Sequence, residues 1–296
     1  MTVTIDALDT QRPGFAALVS GLNLNQDVPD QIIDELQTAI DRYAVLVFRG
    51  QSITDDEQYA FSARFGAMEQ ATGDISAADE RRLSMDINDI SNLDQRGQVL
   101  SRDDRTRLFG LGNMLWHSDS SFKSVPAKYS LLSARVIPSS GGNTEFADMR
   151  AAWSDLDEPT QRECAGLVCE HSQLYSRGIL GFDDFTEQER EKWKPVLQTL
   201  VRQHPVTGAS SLFLSSHIGG IVGWPVPEAR MFIRDLTEHA TAQKYVYVHR
   251  WEPDDLVLWD NRVTMHRARR YDHSQPRDMR RTTVAGDGPT ALQATG

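Results

Sequence analysis

The chain has 296 residues, of which 40% are hydrophobic and 25% charged, and its formal net charge is −11. A chain of this length buries a substantial core without disulfides or structural metals. It lacks the clustered Lys and Arg that phosphate binding needs, so we expect no nucleic-acid partner. No apolar run approaches the roughly 20 residues that cross a bilayer, and the first 15 residues resemble no signal peptide. The sequence therefore predicts a soluble globular protein that does not bind membranes.

The two cysteines, Cys164 and Cys169, stand five positions apart in a segment that we predict to be helical. Positions i and i+5 do not share a helical face, so neither a disulfide nor a metal clip is expected. Free cysteines behave as buried apolar residues, and two reduced thiols suit a cytoplasmic protein.

Helical spacing of apolar residues predicts a helix over 30–43, followed by a short buried strand over 44–48. Thr54 and Glu57 form a capping box that starts a second helix, and Gly66 marks its end. Residues 71–112 are polar and irregular. We interpret them either as a surface loop or as a lid over an active site.

The second half of the chain alternates predicted strands with a few helices. The strands are expected at 129–136, 144–147, 197–203, 211–215, 244–251, 255–259, 263–267 and 276–284. Helices are expected at 159–168, from the Thr186–Glu189 capping box, and at 227–242. Many strands with Gly- and Pro-bearing turns favour a sandwich or barrel over a doubly wound sheet. Without a repeat or a composition break, we predict one domain over 1–296.

Among the eight histidines, His117 is followed two positions later by Asp119. On an extended segment these side chains point the same way, and they offer two of the three ligands of a non-haem Fe(II) site. An H-x-D triplet also arises by chance in chains of this composition.

His266 ends an apolar strand pattern, where a histidine is often purely structural. It is followed by Arg277 and Arg281, which are four apart on a predicted strand and so share a face. Two guanidiniums facing one interior suggest two carboxylates to be held. The alternative is a solvated basic face, to which Arg280 is expected to belong.

Three separated motifs together resemble the taurine/2,4-dichlorophenoxyacetate dioxygenase family of Fe(II)- and 2-oxoglutarate-dependent enzymes. They are GNMLWHSDSSF (112–122), PSSGGNTEFADMRAAW (138–153) and LWDNRVTMHRARRYD with RDMRRTT (258–283). The similarity extends over nearly the whole chain and is greatest to the 2,4-dichlorophenoxyacetate dioxygenases. It implies a mostly β fold with flanking helices around a double-stranded β-helix (jelly-roll, cupin-like) core.

The resemblance assigns the iron to His117, Asp119 and His266, which would be the catalytic centre. Thr144 matches a hydroxyl that helps to hold 2-oxoglutarate. Arg277 matches the arginine that pairs with the distal carboxylate of that cosubstrate, which is consumed together with O2.

Substrate-side roles are also implied by the resemblance. Arg281 matches an arginine that meets the substrate anion, Asn113 a polar pocket residue, and His217 a pocket histidine. A second pocket histidine of close relatives is replaced by Gly220. This departure suggests a roomier and less polar pocket.

The resemblance implies hydroxylation of the ether-linked carbon of an aryloxyacetate, giving a phenol and glyoxylate. The same chemistry on taurine, another sulfonate or an alkyl sulfate is the first alternative, since a guanidinium binds either anion. A non-catalytic metal- or ligand-binding β-sandwich is the second. A structural zinc site would want four ligands, usually with cysteine, and both cysteines lie far from the histidine motifs. A small anionic substrate and a homo-oligomeric state complete these expectations.

Overall fold

The computed structural model describes residues 2–71, 75 and 81–293. The strands are β1 (Thr4–Ala7), β2 (Ala17–Ser20), β3 (Val45–Phe48), β4 (Met68–Glu69), β5 (Asn88–Asp89), β6 (Tyr129–Val136), β7 (Thr144–Asp148), β8 (Val168–His171), β9 (Val196–Thr199), β10 (Val201–Gln203), β11 (Ser210–Leu212), β12 (Ile218–Ile221), β13 (Val246–His249), β14 (Leu256–Asp260), β15 (Thr264–Ala268) and β16 (Asp278–Val284). The helices are α1 (Asp30–Tyr43), α2 (Asp55–Ala63), α3 (Arg105–Gly110), α4 (Met149–Ser154), α5 (Glu158–Cys164), α6 (Gln173–Ile179), α7 (Glu187–Lys192) and α8 (Val226–Ala240). Two 3-10 turns cover Leu111–Met114 and Gln243–Tyr245.

The largest sheet has the order β1-β2-β3-β14-β6-β16-β4, and β5 also pairs with β16. Its β2–β3 pair is parallel, and the other pairs are antiparallel. Successive side chains of a strand point to opposite faces. On β14, Leu258 packs outward with α1 and α2, whereas Trp259 packs inward. Both faces are therefore buried, which explains why these strands are almost continuously apolar.

A second sheet, β13-β7-β15, faces the inner side of the first. Phe146 of β7 lies edge-on to Trp259 of β14, with ring centroids 5.4 Å apart. The opposite face of this sheet packs on α8 and on the small sheet β12-β8-β9. The protein therefore combines mixed sheets with helices packed outside them, and His266 lies on a strand of the inner layer.

Most predicted elements are confirmed. The first helix covers Asp30–Tyr43 as predicted, and both capping boxes form, at Thr54–Glu57 and at Thr186–Glu189. These signals are local, because a cap needs only residues within one turn.

Other boundaries were wrong. The helix predicted over 159–168 ends at Cys164, because Ala165 is extended (ψ 124°), and Gly166 follows it with a left-handed φ of 80°. Cys169 therefore lies on β8, although both cysteines are free and buried as expected. The strand predicted over 197–203 is two strands, β9 and β10, because the chain changes partners from β8 to β11 at Leu200.

Two further differences concern polar and turn segments. The strand predicted over 244–251 begins as the 3-10 turn Gln243–Tyr245. The stretch 71–112 contains β5 and α3 within its described part, where Asp104 caps α3. No helix in the described ranges is long and apolar enough to cross a membrane.

Candidate active site

The backbone brings His117 beside His266. The two residues form an isolated antiparallel bridge, with N–O distances of 3.0 and 2.8 Å between their main chains. Their ring centroids are 4.2 Å apart. The segment after His117 is held by Asn261, whose side-chain oxygen accepts from the Asp119 amide at 3.1 Å. Remote strands thus fix all three side chains that were expected to bind iron.

The carboxylate of Asp119 lies between the two imidazoles. Its Oδ1 is 3.8 Å from Nε2 of His117, and its Oδ2 is 3.8 Å from Nε2 of His266. All three residues are buried, and each offers a ligand atom within 4.8 Å of the others. Nδ1 of His117 lies 2.7 Å from the carbonyl oxygen of Leu115, and donating there leaves Nε2 free for a metal. Two imidazoles and one carboxylate are the donor set of non-haem Fe(II).

Protonation states favour metal binding. Burial alone would raise the pKa of Asp119, but Arg281 and the two histidines hold it at about 2. Ser130 adds a 2.7 Å hydrogen bond to the carboxylate. Burial lowers the pKa of His117 and His266, so both imidazoles are neutral at neutral pH. An ionised carboxylate and two neutral imidazoles need lose no proton to take a divalent cation.

A cavity of about 480 Å³ lies beside these ligands, a size that suits a small-molecule site. His117 and Asp119 line it, and four other predicted site residues do so as well: Asn113, His217, Arg277 and Arg281. Residues 81–114 supply much of its wall. His266 and Thr144 are not among the lining residues.

Thr144 is buried on β7, and its backbone pairs with Ala268, a residue of the cavity wall. The hydroxyl oxygen accepts a 3.0 Å hydrogen bond from the indole of Trp251. A hydroxyl that accepts still has its own proton to donate. Gly220 does not line the cavity: it pairs with Glu170, so the expectation of a roomier pocket at this position is not supported.

Arg277 and Arg281 differ in whether a protein carboxylate compensates their charge. Arg277 is buried, and no carboxylate in the described ranges forms an ion pair with it; Nη1 donates to the carbonyl of Ile90 at 3.2 Å. Its backbone is held by Asn92, whose side-chain oxygen accepts at 2.8 Å. Arg281 instead donates to Oδ1 of Asp119 at 2.5 Å. A buried unpaired guanidinium is costly, so Arg277 is suited to a carboxylate ligand.

Arg280, between them, faces away from the cavity and pairs with Asp55 and Asp278. The basic face expected there is therefore a half-buried ion-pair network.

Several residues of the site carry no sequence signal. Arg177 and Gln173, both on α6, line the cavity although their segment SQLYSRG has no motif. Ser130 of β6 bonds the Asp119 carboxylate, and Asn261, which follows β14 inside the 258–283 motif, accepts from the Asp119 amide, a role that the motif did not assign. Only a tertiary contact reveals them.

A second group of possible ligand atoms comprises Asp41, His204 and Asp260. Arg262 already satisfies it: Nη2 lies 2.7 Å from Asp260 and 3.4 Å from Asp41. The guanidinium supplies the positive charge that a metal would bring. This cluster therefore joins α1 to the large sheet as an ion-pair network.

A buried set of two histidines and one carboxylate, opening on a cavity that contains guanidiniums, defines the site of a non-haem iron enzyme. The chain belongs to the taurine catabolism dioxygenase TauD, TfdA family, whose model matches residues 8–283, and it is an α-ketoglutarate-dependent dioxygenase. The family agrees with the resemblance seen in the motifs, and the structure has the expected sheets with helices packed outside them.

Similar proteins include the alpha-ketoglutarate-dependent 2,4-dichlorophenoxyacetate dioxygenase of Cupriavidus pinatubonensis, 44% identical over 93% of this chain and 96% of that protein. The (S)-phenoxypropionate/alpha-ketoglutarate-dioxygenase of Sphingobium herbicidovorans is 35% identical over 92% of each chain. The crystal structure of AAD-2 in complex with Mn(II) and N-oxalylglycine superposes with a TM-score of 0.95. It is 55% identical and covers 98% of this chain and 100% of that one.

Proposed function

We propose that this dioxygenase hydroxylates the ether-linked carbon of an aryloxyacetate such as 2,4-dichlorophenoxyacetate. The product is a hemiacetal that collapses to a phenol and glyoxylate, while 2-oxoglutarate is converted to succinate and CO2. The proposal rests on the cavity that sets guanidiniums beside the two-histidine, one-carboxylate site, in a chain similar to 2,4-dichlorophenoxyacetate dioxygenases.

His117, Asp119 and His266 would hold the iron. When bound, Fe(II) supplies the activation of O2 that oxidises 2-oxoglutarate and the substrate C–H bond. Arg277 pairs with the distal carboxylate of 2-oxoglutarate. The Thr144 hydroxyl, which accepts from Trp251, donates a hydrogen bond to the same molecule. Arg281 pairs with the substrate anion through the guanidinium atoms that Asp119 does not use. Asn113 and His217 line the substrate side. These contacts place one C–H bond at the metal and exclude water.

The stretch 71–112 is proposed as the active-site loop of a single domain over 1–296, because its described part supplies much of the cavity wall. Within this stretch, Arg82 pairs with Asp89 of β5. It also pairs with Asp278, which starts β16 and follows Arg277, so it ties the stretch to β16. The two facing sheets and the inner position of β15 support a jelly-roll core.

Two cellular properties are also proposed. The free, buried Cys164 and Cys169 support a cytoplasmic location. A homo-oligomeric state remains a prediction that light scattering of the purified protein measures directly.

Succinate formation with Fe(II) and 2-oxoglutarate tests the function against a panel of aryloxyacetates, taurine and alkyl sulfates. We expect 2,4-dichlorophenoxyacetate to raise succinate output and to yield one phenol per succinate. Succinate driven by taurine or an alkyl sulfate, with no phenol from any aryloxyacetate, would keep the enzyme class and reject this substrate.

Arg281 is expected to affect the two acids unequally. Arg281→Ala should raise the KM for the aryloxyacetate about tenfold or more, since a charged hydrogen bond is lost, and should change the KM for 2-oxoglutarate much less. Arg281→Lys should also be impaired, because an ammonium cannot reproduce the two-pronged contact. Equal increases in both KM values would show that Arg281 acts through Asp119 and the metal.

Thr144→Ala should weaken 2-oxoglutarate binding by about 1 kcal/mol, the value of one neutral hydrogen bond. The KM for 2-oxoglutarate measures it, and Thr144→Ser, which retains the hydroxyl, is the matched control. If Ser and Ala behave alike, the hydroxyl serves only as the acceptor for Trp251.

A further inference from the structure

We propose that Arg177, assisted by Gln173, is a second residue that recognises the negative charge of the substrate, in addition to Arg281. The inference rests on the proposed function and extends it, because it identifies an anion receptor on α6 that none of the sequence motifs contains.

Arg177 is buried on α6 and lines the cavity. Nε donates to the carbonyl of Phe109 at 3.2 Å, and Nη1 donates to the hydroxyl of Ser176 at 3.1 Å. The guanidinium also lies over the ring of Phe109, 4.4 Å from its centroid. Among the described residues, Nη2 has no hydrogen-bond partner. One arm of a rigidly held guanidinium is thus available to a ligand.

The charge of Arg177 has no counterpart in the described chain. No carboxylate forms an ion pair with it, and burial lowers its pKa to about 10, so it stays cationic at neutral pH. Arg281 donates to Asp119, and Arg277 is assigned to 2-oxoglutarate. Of the two buried arginines that line the cavity, Arg177 and Arg277, only Arg177 is thus left without a counter-charge from a described carboxylate or from the cosubstrate. Burying a charge without a counter-charge costs free energy, and an anion that enters the cavity would reduce that cost.

Gln173 gives a second, independent indication. It stands one turn before Arg177 on the same helix face and lines the same cavity. Its side-chain oxygen is buried without a hydrogen-bond partner. A 180° rotation of the Gln173 side-chain amide puts its NH2 group where the unpartnered oxygen lies. The side chain can then donate a hydrogen bond to the same anion.

A purely structural role is the alternative. Arg177 ties α6 to the turn that precedes His117, and a Cβ at Gly112 would overlap its guanidinium. Arg202 is a matched control, because it is half-buried, lies 4.5 Å over a ring, that of Phe213, and has a pKa lowered by burial to about 10. Arg202 does not line the cavity.

The experiment is calorimetric titration of the full chain, loaded with Mn(II) and N-oxalylglycine, with 2,4-dichlorophenoxyacetate and with its neutral primary amide. We expect wild type to prefer the acid. Arg177→Gln should weaken acid binding about 10- to 100-fold, the range for a lost charged hydrogen bond, and change amide binding little. Arg177→Lys should keep part of the preference. Arg202→Gln should lower Tm and leave the preference unchanged.

Equal losses for acid and amide in Arg177→Gln, or no loss for either, would overturn the proposal, as would a wild type that fails to prefer the acid. Because binding is measured without turnover, failure of the proposed function is a separate result. A wild type that binds the acid through Arg177 but forms no phenol would retain the receptor and reject the reaction.

Discussion

Asp119→Ala is expected to abolish turnover and to weaken Fe(II) binding strongly, as are His117→Ala and His266→Ala. Each substitution removes one of three buried ligand atoms that lie within 4.8 Å of one another. Two remaining ligands make a poor site for a divalent metal. Metal content after chelation and reloading, measured together with succinate formation, checks this prediction.

A metal-dependent rise in Tm offers a readout that needs no turnover. Mn(II) should stabilise wild type by mass action and should not stabilise the three variants. His239→Ala is the matched control, since this histidine lies on α8 and bonds the carbonyl of Ala152 away from the cavity. Full activity of chelator-treated wild type without added iron would remove the basis of the assignment.

Arg277→Ala is expected to cost about 2–5 kcal/mol of 2-oxoglutarate binding, which is a rise of about 30-fold or more in its KM. The reason is that Arg277 is buried and has no carboxylate partner in the described ranges, so the cosubstrate supplies its counter-charge. Initial rates of succinate formation at varied 2-oxoglutarate measure the effect.

Arg280→Ala is the control for this prediction. Arg280 is three positions away, but it pairs with Asp55 and Asp278 outside the cavity, so its loss should affect stability and leave the KM unchanged. An unchanged KM in Arg277→Ala would move the role to another cavity arginine, of which Arg177 is the first candidate.

The sequence by itself determined the local features and the chemistry of the metal site. Helix α1 and both capping boxes were predicted because their signals lie within a few residues. The pair His117 and Asp119 shares one side of an extended segment for the same local reason. The remaining site residues came from matching separated motifs to a family, since spacing alone does not reveal which histidine completes a metal site.

Tertiary structure alone decided how these residues are paired. The bridge between His117 and His266 joins segments far apart in the chain. Whether an arginine is free or compensated depends on which carboxylate lies beside it, and this separates Arg281 from Arg277. The receptor proposed at Arg177 exists only because α6 packs against the cavity. Such contacts depend on the whole fold, whereas caps and strand periodicity depend on neighbouring residues.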